Sequence, residues 1–428
     1  MSARVHSTAP SGTYSSYSGT YAISREASQL QRSVMRELLR RASDPGVISL
    51  AGGLPDSRLL PYEAYSEAVQ RVISREGGAA LQYRPQYEPL REWVAAYMQE
   101  RGVRCTSDQV LITNGNQQGL TILSRLFLDP GQPAAVEAIT FTGVQQVTSG
   151  RSAQVHAIPV DLQMGVDTDA LEAVFEQHRP RIAILIPTFH NPLGVSITDE
   201  KRRQIAELAG RYRIPVIEDD PYAALRFRGQ ALPPIKAYAD TPDAEAFTFY
   251  LGSFSKMLAP GLRLGWMIAP AELMPRLVTM RESIDLESSA LTQRAVYELV
   301  SQGTLDIHLP QLNQANRERC DALLDALQTH FGGPRPEVHW TRPDGGLFVW
   351  LTLPETIDTF ELLAQAIEQE RVAYIPGGAF SVTGGHRNTM RLNFSAVDAA
   401  TLREGIERLA RIVHMHSIQT DQIAHGAI

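Results

Sequence analysis

Short apolar runs alternate with helical stretches through the middle of this chain, and that alternation limits its fold more than any other feature. The predicted strands are 110–113, 134–137, 154–160, 182–186, 215–218, 247–251 and 264–268, with helices such as 117–128 and 199–212 between them. Strands that are covered on both faces appear as continuous apolar runs. The sequence therefore predicts an α/β protein whose large, mostly parallel sheet is flanked by helices.

The rest of the chain predicts further structure around that sheet. Residues 28–41 have apolar positions at helical spacing, and residues 285–301 predict a helix that bridges to a second region with helices and strands of its own. We divide the chain into four parts. These are a disordered tail (1–23), an N-terminal arm with part of a small domain (24–60), a large domain (61–300) and a C-terminal small domain (301–428).

Composition excludes several classes of protein. The net charge is −7 over 428 residues, which gives no basic footprint for nucleic acid. Cys105 and Cys320 lie far apart and form neither a disulfide framework nor a metal-binding motif. No apolar run reaches the ~18 residues of a membrane span, and residues 1–21 lack the apolar core of a signal peptide. We therefore expect a cytoplasmic protein without a metal, a membrane or nucleic acid as partner.

Lysine is scarce, which draws attention to Lys256. Three lysines stand against 37 arginines, and Lys256 lies in the segment SFSKMLAPGLRLGW at 253–266. A desolvated lysine amine can attack a carbonyl, whereas an arginine stays protonated. Ser253 and Ser255 precede the amine and Arg263 follows it. A lone surface lysine is the plainer interpretation, but this segment predicts a cofactor aldehyde held on Lys256 with a phosphate bound nearby.

Polar residues follow several of the predicted strands. Asn191 comes after 182–186, Asp219 and Tyr222 come at and after the end of 215–218, and residues 114–117 form a strand-to-helix corner. Ligands in open α/β sheets bind at the carboxyl ends of the strands, and free amides at a helix start favour phosphate. We expect these loops to meet the Lys256 loop at one edge of the sheet.

Together these segments resemble the aminotransferase class I/II family, the fold-type I enzymes that use pyridoxal 5′-phosphate. The segments are ISLAGGLP at 48–55, NPLG at 191–194, EDDPY at 218–222 and SFSK at 253–256. The first and third most resemble the 2-aminoadipate/kynurenine aminotransferase branch, and the likeness runs from about residue 24 to residue 413. The resemblance implies a large cofactor-binding domain with a mostly parallel sheet, plus a smaller α+β domain.

The resemblance also implies a role for each candidate site residue. Lys256 would hold the cofactor and move the proton, Asp219 would bind the pyridine nitrogen, and Tyr222 would contact the 3-oxygen of the ring. The other implied cofactor contacts are Asn116, Gln117, Phe141 (stacked on the ring), Asn191, Ser253, Ser255 and Arg263.

Further residues are implied to contact the substrate or a partner subunit. Arg391 would bind the α-carboxylate as a bidentate fork, with Gly53 and Asn191 beside it. Arg36 would pair with a distal carboxylate. Tyr83 resembles the tyrosine that reaches a partner subunit's phosphate, which implies a homodimer with shared sites; Arg84 stands where the family usually has glycine.

Several of these residues also have plainer interpretations. Asp220 is the rival of Asp219, Asn191 could be an Asn-Pro turn residue, and Phe141 could be a core aromatic. Arg391 could be a surface ion-pair residue, although its place inside an apolar run favours a buried anion partner.

The implied activity is transamination. The amino group of an aromatic, 2-aminoadipate-like or other bulky L-amino acid would pass to a 2-oxo acid such as 2-oxoglutarate by a ping-pong mechanism. Two alternatives stay open. One is another pyridoxal-phosphate reaction at the α- or β-carbon, such as decarboxylation, elimination or racemisation. The other is a MocR-like effector-binding domain, which predicts a winged-helix segment of ~70 residues with a basic face ahead of the domain; about two dozen residues precede the resemblance here.

Overall fold

The structure is a computed structural model that describes residue 27, residues 44–333 and residues 337–426, with only the backbone of 417–426. The predicted tail at 1–23 and the predicted helix at 28–41, which contains Arg36, lie outside the described residues.

The elements follow one another in the alternating order that the sequence predicts. The strands are β1 (Ile48–Ser49), β2 (Val110–Thr113), β3 (Pro133–Glu137), β4 (Gln154–Ile158), β5 (Val160–Asp161), β6 (Gly165–Val166), β7 (Ile182–Leu185), β8 (Val216–Asp219), β9 (Thr248–Ser253), β10 (Gly265–Ile268), β11 (His339–Trp340), β12 (Phe348–Thr352), β13 (Val372–Ala373), β14 (Ile375–Pro376) and β15 (Thr389–Asn393). The helices are α1 (Tyr62–Glu76), α2 (Glu88–Glu100), α3 (Asn116–Phe127), α4 (Thr142–Gly150), α5 (Thr168–His178), α6 (Asp199–Tyr212), α7 (Pro242–Phe247), α8 (Phe254–Met257), α9 (Met274–Asp285), α10 (Ala290–Ser301), α11 (Thr304–Phe331), α12 (Thr359–Glu370) and α13 (Ala399–Gly426).

A seven-stranded sheet forms the centre of the larger part of the molecule. Its order is β2-β10-β9-β8-β7-β3-β4, and all pairs are parallel except those that β10 makes with β2 and β9. Every residue of β2, β7, β8, β9 and β10 is buried, because helices cover both faces of the sheet. The prediction of a mostly parallel sheet is confirmed.

A smaller antiparallel sheet lies in the second region. Its order is β11-β12-β15-β14, and the short strand β1 from the beginning of the described chain pairs with β13 beside it. Trp350, Phe380 and Leu392 belong to a core that this sheet shares with α11, α12 and α13. The predicted smaller α+β part is therefore present. The predicted boundary at 300/301 falls just before the last residue of α10, and α11 begins at Thr304. The division into domains stays a prediction.

The predicted single helix at 285–301 is wrong at its start. The chain forms two helices there, because Leu286 has a φ of +64° and ends α9. The Ser289 side chain then accepts a hydrogen bond from the Thr292 amide and begins α10. Periodicity across the break hides a turn that only the backbone angles reveal.

The direction of the strands places the candidate residues at one edge. Asn116, Asn191, Asp219 and Lys256 follow or end strands that run the same way, so they meet at the carboxyl edge of the sheet. Arg263 comes before β10, and because β10 runs the opposite way, its beginning lies at that same edge. Across the described part of the chain, no helix is both long and apolar enough to span a membrane.

Candidate active site

Lys256 lies in α8, directly after β9. Ser253 begins this helix by accepting a hydrogen bond from the Ser255 amide at 3.1 Å. The Lys256 Nζ donates to the Gly53 carbonyl at 2.6 Å. Burial, together with the positive charges of Arg391 and Arg263, lowers the pKa of this amine to about 8. Near neutral pH the amine is therefore within reach of its reactive neutral form.

Asp219 ends β8 with 3 % of its surface exposed. Its Oδ1 accepts a hydrogen bond from the Asn116 Nδ2 at 2.6 Å. Burial raises the pKa of this carboxyl to about 7; the Asn116 hydrogen bond opposes the shift, and the charges of Asp220 and Glu137 add to it. A buried carboxylate whose negative charge is stabilised mainly by an uncharged amide is a strong acceptor for a hydrogen bond from a cationic N–H group.

The acids around Asp219 have basic partners of their own. Asp220 accepts from Arg101 at 2.8 Å and from the Tyr250 hydroxyl at 3.0 Å. Glu137 lies 3.1 Å from the His190 Nε2, and both side chains are buried. Among the described residues, Asp219 forms no salt bridge with a lysine or arginine. This contrast favours Asp219 over its rival Asp220 as the acid that faces a ligand.

An anion-binding corner lies where β2 turns into α3. The first amides of α3 have no carbonyl ahead of them within the helix, and Gly115 adopts a φ of +83° to make the turn. The Arg263 Nη2 donates to the Asn114 carbonyl at 3.1 Å and would lie 3.2 Å from a Cβ on Gly115. Ser253 and Ser255 come from the neighbouring β9 and α8. This donor set fits a phosphate group.

Gln117 and Phe141 lie beside that corner. The Gln117 Nε2 donates to the Gly143 carbonyl at 3.3 Å, and Phe141 immediately precedes α4. A Cβ on Gly143 would lie 2.3 Å from the Phe141 ring and 2.2 Å from the Gln117 Oε1. A glycine is therefore required here for both side chains to occupy these positions, and Phe141 is only partly buried.

Asn191 connects two parts of the site. Its Nδ2 donates to the Tyr222 hydroxyl at 3.2 Å, and its Oδ1 accepts from the Arg391 Nη1 at 2.8 Å. Asn191 is 4 % exposed and Tyr222 is 5 % exposed, and burial raises the pKa of that phenol. Asn191 is thus more than a turn residue, since it fixes the relative positions of Tyr222 and Arg391.

Arg391 is a buried guanidinium on β15. Its Nη2 donates to the Ala51 carbonyl at 2.8 Å, and its charge lies 4.3 Å from the Phe348 ring centroid and 4.9 Å from that of Phe380. Burial lowers the pKa of this guanidinium to about 10. No carboxylate among the described residues forms a salt bridge with it, so the interpretation as a surface ion-pair residue is wrong. A planar cation buried in this way is suited to a carboxylate ligand.

One predicted residue is not brought into this cluster, and another lies outside the described residues. Tyr83 is 84 % exposed in the single chain, and Arg36 lies outside the described residues. Gly53 does lie in the cluster: a Cβ there would lie 3.3 Å from Phe348 and 3.8 Å from the Arg391 Nη2. A side chain at this position would require the Phe348 ring to move by a few tenths of an ångström.

Sequence reasoning missed the side chains that support the site. It did not single out Phe348 and Phe380, which lie against Arg391, or the buried pair of Glu137 and His190. The only signal for His190 was its place beside Asn191, and the aromatic residues had none beyond ordinary core composition.

The residues fit pyridoxal phosphate. The Asn116 Oδ1 is buried without a hydrogen-bond partner, although the same side chain contacts Asp219 beside the anion-binding corner. Lys256, Asp219 and a helix start suited to phosphate meet at one edge of the large sheet, and Arg391 from the smaller sheet reaches Asn191 at that edge. This arrangement fits the fold-type I pyridoxal-phosphate enzymes that the sequence resembles.

Comparison with known proteins identifies the family. Residues 45–409 match the family model described as aminotransferase class I and II. The chain is 37 % identical over 414 residues to aromatic-amino-acid aminotransferase 1 of Thermococcus litoralis, covering 95 % of this chain and 96 % of that one. It is 38 % identical over 392 residues to 2-aminoadipate transaminase of Thermus thermophilus, covering 91 % and 96 %. The crystal structure of Pyrococcus horikoshii kynurenine aminotransferase in complex with PMP has a TM-score of 0.86 at 35 % identity, covering 92 % and 97 %.

The chain belongs to the aminotransferase class I and II family. It is a pyridoxal-phosphate-dependent aminotransferase of fold type I, and its likeness to the 2-aminoadipate and kynurenine aminotransferases confirms the resemblance seen in the sequence. The predicted enzyme class, fold and cofactor are confirmed. The roles of single residues stay predictions.

Proposed function

We propose that this enzyme transfers the amino group of an aromatic, 2-aminoadipate-like or other bulky L-amino acid to a 2-oxo acid such as 2-oxoglutarate, in a ping-pong cycle. The observation that carries the proposal is the Asn191 side chain, which contacts Tyr222 on one side and Arg391 on the other. A substrate whose carboxylate is bound by Arg391 would therefore present its α-carbon next to the residues that hold the cofactor. The substrates named for the relatives support this choice of donor.

The cofactor would be bound at its two ends by groups of opposite charge. The amides at the start of α3, with Gln117, Ser253, Ser255 and Arg263, would hold the phosphate. Asp219 would accept a hydrogen bond from the protonated ring nitrogen, with Asn116 keeping the carboxylate oriented. When it is bound, pyridoxal phosphate supplies a ring that withdraws electrons from the substrate α-carbon.

The remaining cofactor contacts would orient the ring. Asn191 and Tyr222 would hydrogen-bond its 3-oxygen, and Phe141 would stack on it. These three side chains come from different loops. Asn191 and Tyr222 lie in loops that follow β7 and β8, so the carboxyl edge of the large sheet sets their positions.

Lys256 would hold the cofactor and then move the proton. Because its pKa is lowered to about 8, the released amine can take the α-proton and return it. Arg391 would hold the carboxylate while this happens, and Gly53 would line the same site through its backbone. Of these residues, Lys256 alone would transfer a proton, whereas Arg391 and Gly53 would position the substrate.

A half-reaction tests the proposal. The purified loaded enzyme is mixed with one amino acid and no acceptor, and we expect one equivalent of 2-oxo acid per active site together with conversion of the cofactor to its amine form. Amino acids with aromatic and with 2-aminoadipate side chains should react faster than small ones. Carbon dioxide or the D-enantiomer without a 2-oxo acid would contradict the proposal and support another reaction. So would ammonia released together with a 2-oxo acid while the cofactor is not converted to its amine form.

Lys236 provides a matched control for Lys256. Lys236 is also buried with a pKa lowered to about 8 by burial, but its Nζ donates to the Glu245 carbonyl. Lys256→Met should abolish both the visible absorption of the lysine-bound cofactor and the half-reaction. Lys236→Met should retain both, and equal loss in the two variants would remove Lys256 from its proposed role.

We also propose an oligomeric state, a cellular location and a division into domains. A homodimer with shared active sites, in which Tyr83 reaches the phosphate bound by the partner subunit, is supported by the exposure of Tyr83 (84 %), Leu81 (68 %), Leu286 (58 %) and Leu54 (57 %) in the single chain. Cytoplasmic location is supported by the two cysteines, which are buried free thiols. Residues 61–300 would form the cofactor-binding domain; residues 301–428, with part of 24–60, would form the small domain.

A further inference from the structure

A short segment crosses the active site between two fixed points. We name residues 51–56 the strap. The chain enters it from β1, where the Leu50 amide donates to the Ala373 carbonyl and the Leu50 carbonyl accepts from the Asn393 amide, both at 2.8 Å. The strap has no regular secondary structure, so its position depends on the contacts of its own groups.

The strap contacts two of the proposed active-site residues through its carbonyl groups. The Ala51 carbonyl accepts from the Arg391 Nη2 at 2.8 Å, and the Gly53 carbonyl accepts from the Lys256 Nζ at 2.6 Å. The backbone at Gly53 also lies close to Phe348. The strap therefore determines how much room remains beside both functional groups.

The far end of the strap is anchored to a different part of the molecule. Asp56 is 5 % exposed and accepts from the Arg319 Nη2 at 2.5 Å; Arg58 binds the same carboxylate. The Arg319 Nη1 donates to the Ser395 carbonyl at 2.8 Å, and the Ser395 Oγ donates to the Leu54 carbonyl at 2.9 Å. Two neighbouring anchors thus join the strap to α11 and to the segment after β15.

The anchors matter because the strap contains two glycines. Gly52 and Gly53 have no side chain to restrict the backbone. With Asp56 released, the far end of the strap would keep, of the two anchors, only the hydrogen bond from Ser395 to the Leu54 carbonyl, and the position of Gly53 would be less firmly fixed. Burial alone would raise the Asp56 pKa, but the hydrogen bonds from Arg58 and Arg319 outweigh it and lower that pKa to about 2. The anchor is therefore charged throughout the working pH range.

We propose that Arg319 and Asp56 are positioning residues for transamination, and that their buried ion pair holds the strap so that Gly53 stays against Lys256 and Arg391. The inference rests on the proposed roles of Lys256 and Arg391. Since neither Arg319 nor Asp56 touches these two side chains, they act only through the strap. We expect their loss to weaken substrate binding more than it slows the chemical step.

The main test compares Arg319→Met with Asp321→Asn in the loaded enzyme. Asp321 lies two residues further along α11 and pairs with Arg228, so its variant breaks an ion pair on the same helix without touching the strap. Arg319→Met should raise the KM for both amino acid and 2-oxo acid about tenfold and lower kcat less than threefold. Asp321→Asn should change KM less than twofold. Equal effects of the two variants, or a loss of kcat at unchanged KM, would overturn the proposal.

Hydrogen exchange gives a readout that needs no turnover. Peptides covering 50–60 should exchange faster in Arg319→Met and in Asp56→Asn than in the wild-type enzyme, while Asp321→Asn leaves them unchanged. Unchanged exchange in this peptide would refute the anchor. Because exchange does not depend on turnover, this result is independent of whether the wild-type enzyme carries out the half-reaction, and the anchor and the proposed function are tested separately.

A milder variant covers the case in which Arg319→Met does not fold. Ser395→Ala removes the hydrogen bond to the Leu54 carbonyl without leaving a buried charge. It should increase exchange at 50–60 and raise KM about threefold, a smaller rise than in Arg319→Met. If exchange and KM both stay at wild-type values, the strap does not depend on its far end.

Discussion

The protonation of Asp219 connects the stability of the cofactor-free protein to its function. This carboxyl is buried at the end of β8, its pKa is raised to about 7 chiefly by burial, and its hydrogen bond comes from an uncharged amide, Asn116. Without a cationic ligand the ionised form is unfavourable in the fold. Asp219→Asn removes that charge, and we predict that it stabilises the cofactor-free protein while it abolishes transamination.

The size of the effect follows from the two pKa values. In the unfolded chain Asp219 ionises near 3.8, whereas in the fold it ionises near 7. Between pH 5 and pH 7 the folded state keeps a proton that the unfolded state has lost, so rising pH destabilises the wild-type fold by about 1.4 kcal/mol per pH unit. Asp219→Asn lacks this titration. Its stability relative to the wild type should therefore rise by ~3 kcal/mol from pH 5 to pH 8, nearly all of it below pH 7.

Urea unfolding of the cofactor-free proteins at pH 5 and pH 8 measures this difference. Asp325→Asn, on the exposed surface of α11, is a matched control in which one carboxylate is neutralised away from the site; we expect no comparable gain between the two pH values. Parallel pH dependence of Asp219→Asn and wild type would refute the reasoning. Such a result would mean that the buried carboxylate is already compensated in the fold.

The remaining predictions concern the substrate and the subunits. Arg36→Ala should raise the KM for dicarboxylic amino acids about tenfold and leave the KM for aromatic ones unchanged, because Arg36 is predicted to pair with a distal carboxylate; steady-state kinetics with both donors measures this, and equal effects would contradict it. The loaded enzyme should sediment with twice the mass of one chain, and Tyr83→Phe should weaken cofactor binding several-fold in an equilibrium titration without changing that mass. A monomer that is fully active would rule out shared sites.

Local patterns in the sequence were enough to predict the framework of the large sheet. The predicted strand at 110–113 and the predicted helix at 199–212 have the same bounds as β2 and α6, because a continuous apolar run and a 3.6-residue period are properties of neighbouring residues. The break between α9 and α10 was not predictable in this way. It depends on one residue with a positive φ and on a serine cap, neither of which changes the spacing of apolar residues.

Contacts between distant segments limited what could be predicted of the site. The motifs placed Asn191, Asp219 and Lys256 at the ends of strands, and the structure brings these residues to one edge. The sequence did not show that Asn191 contacts Arg391, 200 residues further on, or that Arg319 binds Asp56 across 263 residues. Periodicity carries no information about such pairs, since each partner occupies an ordinary position in its own element.

The charges around the site are unevenly compensated by neighbouring side chains. At one end Asp219 forms no salt bridge with a lysine or arginine among the described residues, whereas Asp220 pairs with Arg101 and Glu137 lies 3.1 Å from the His190 Nε2. At the other end the guanidinium groups of Arg263 and Arg391 form no salt bridge with a carboxylate among the described residues. The fold thus leaves an uncompensated negative charge and uncompensated positive charges on either side of Lys256. A ligand that carries a cationic ring nitrogen, a phosphate and a carboxylate would compensate all of them, so binding of cofactor and substrate would also relieve the electrostatic strain of the empty fold.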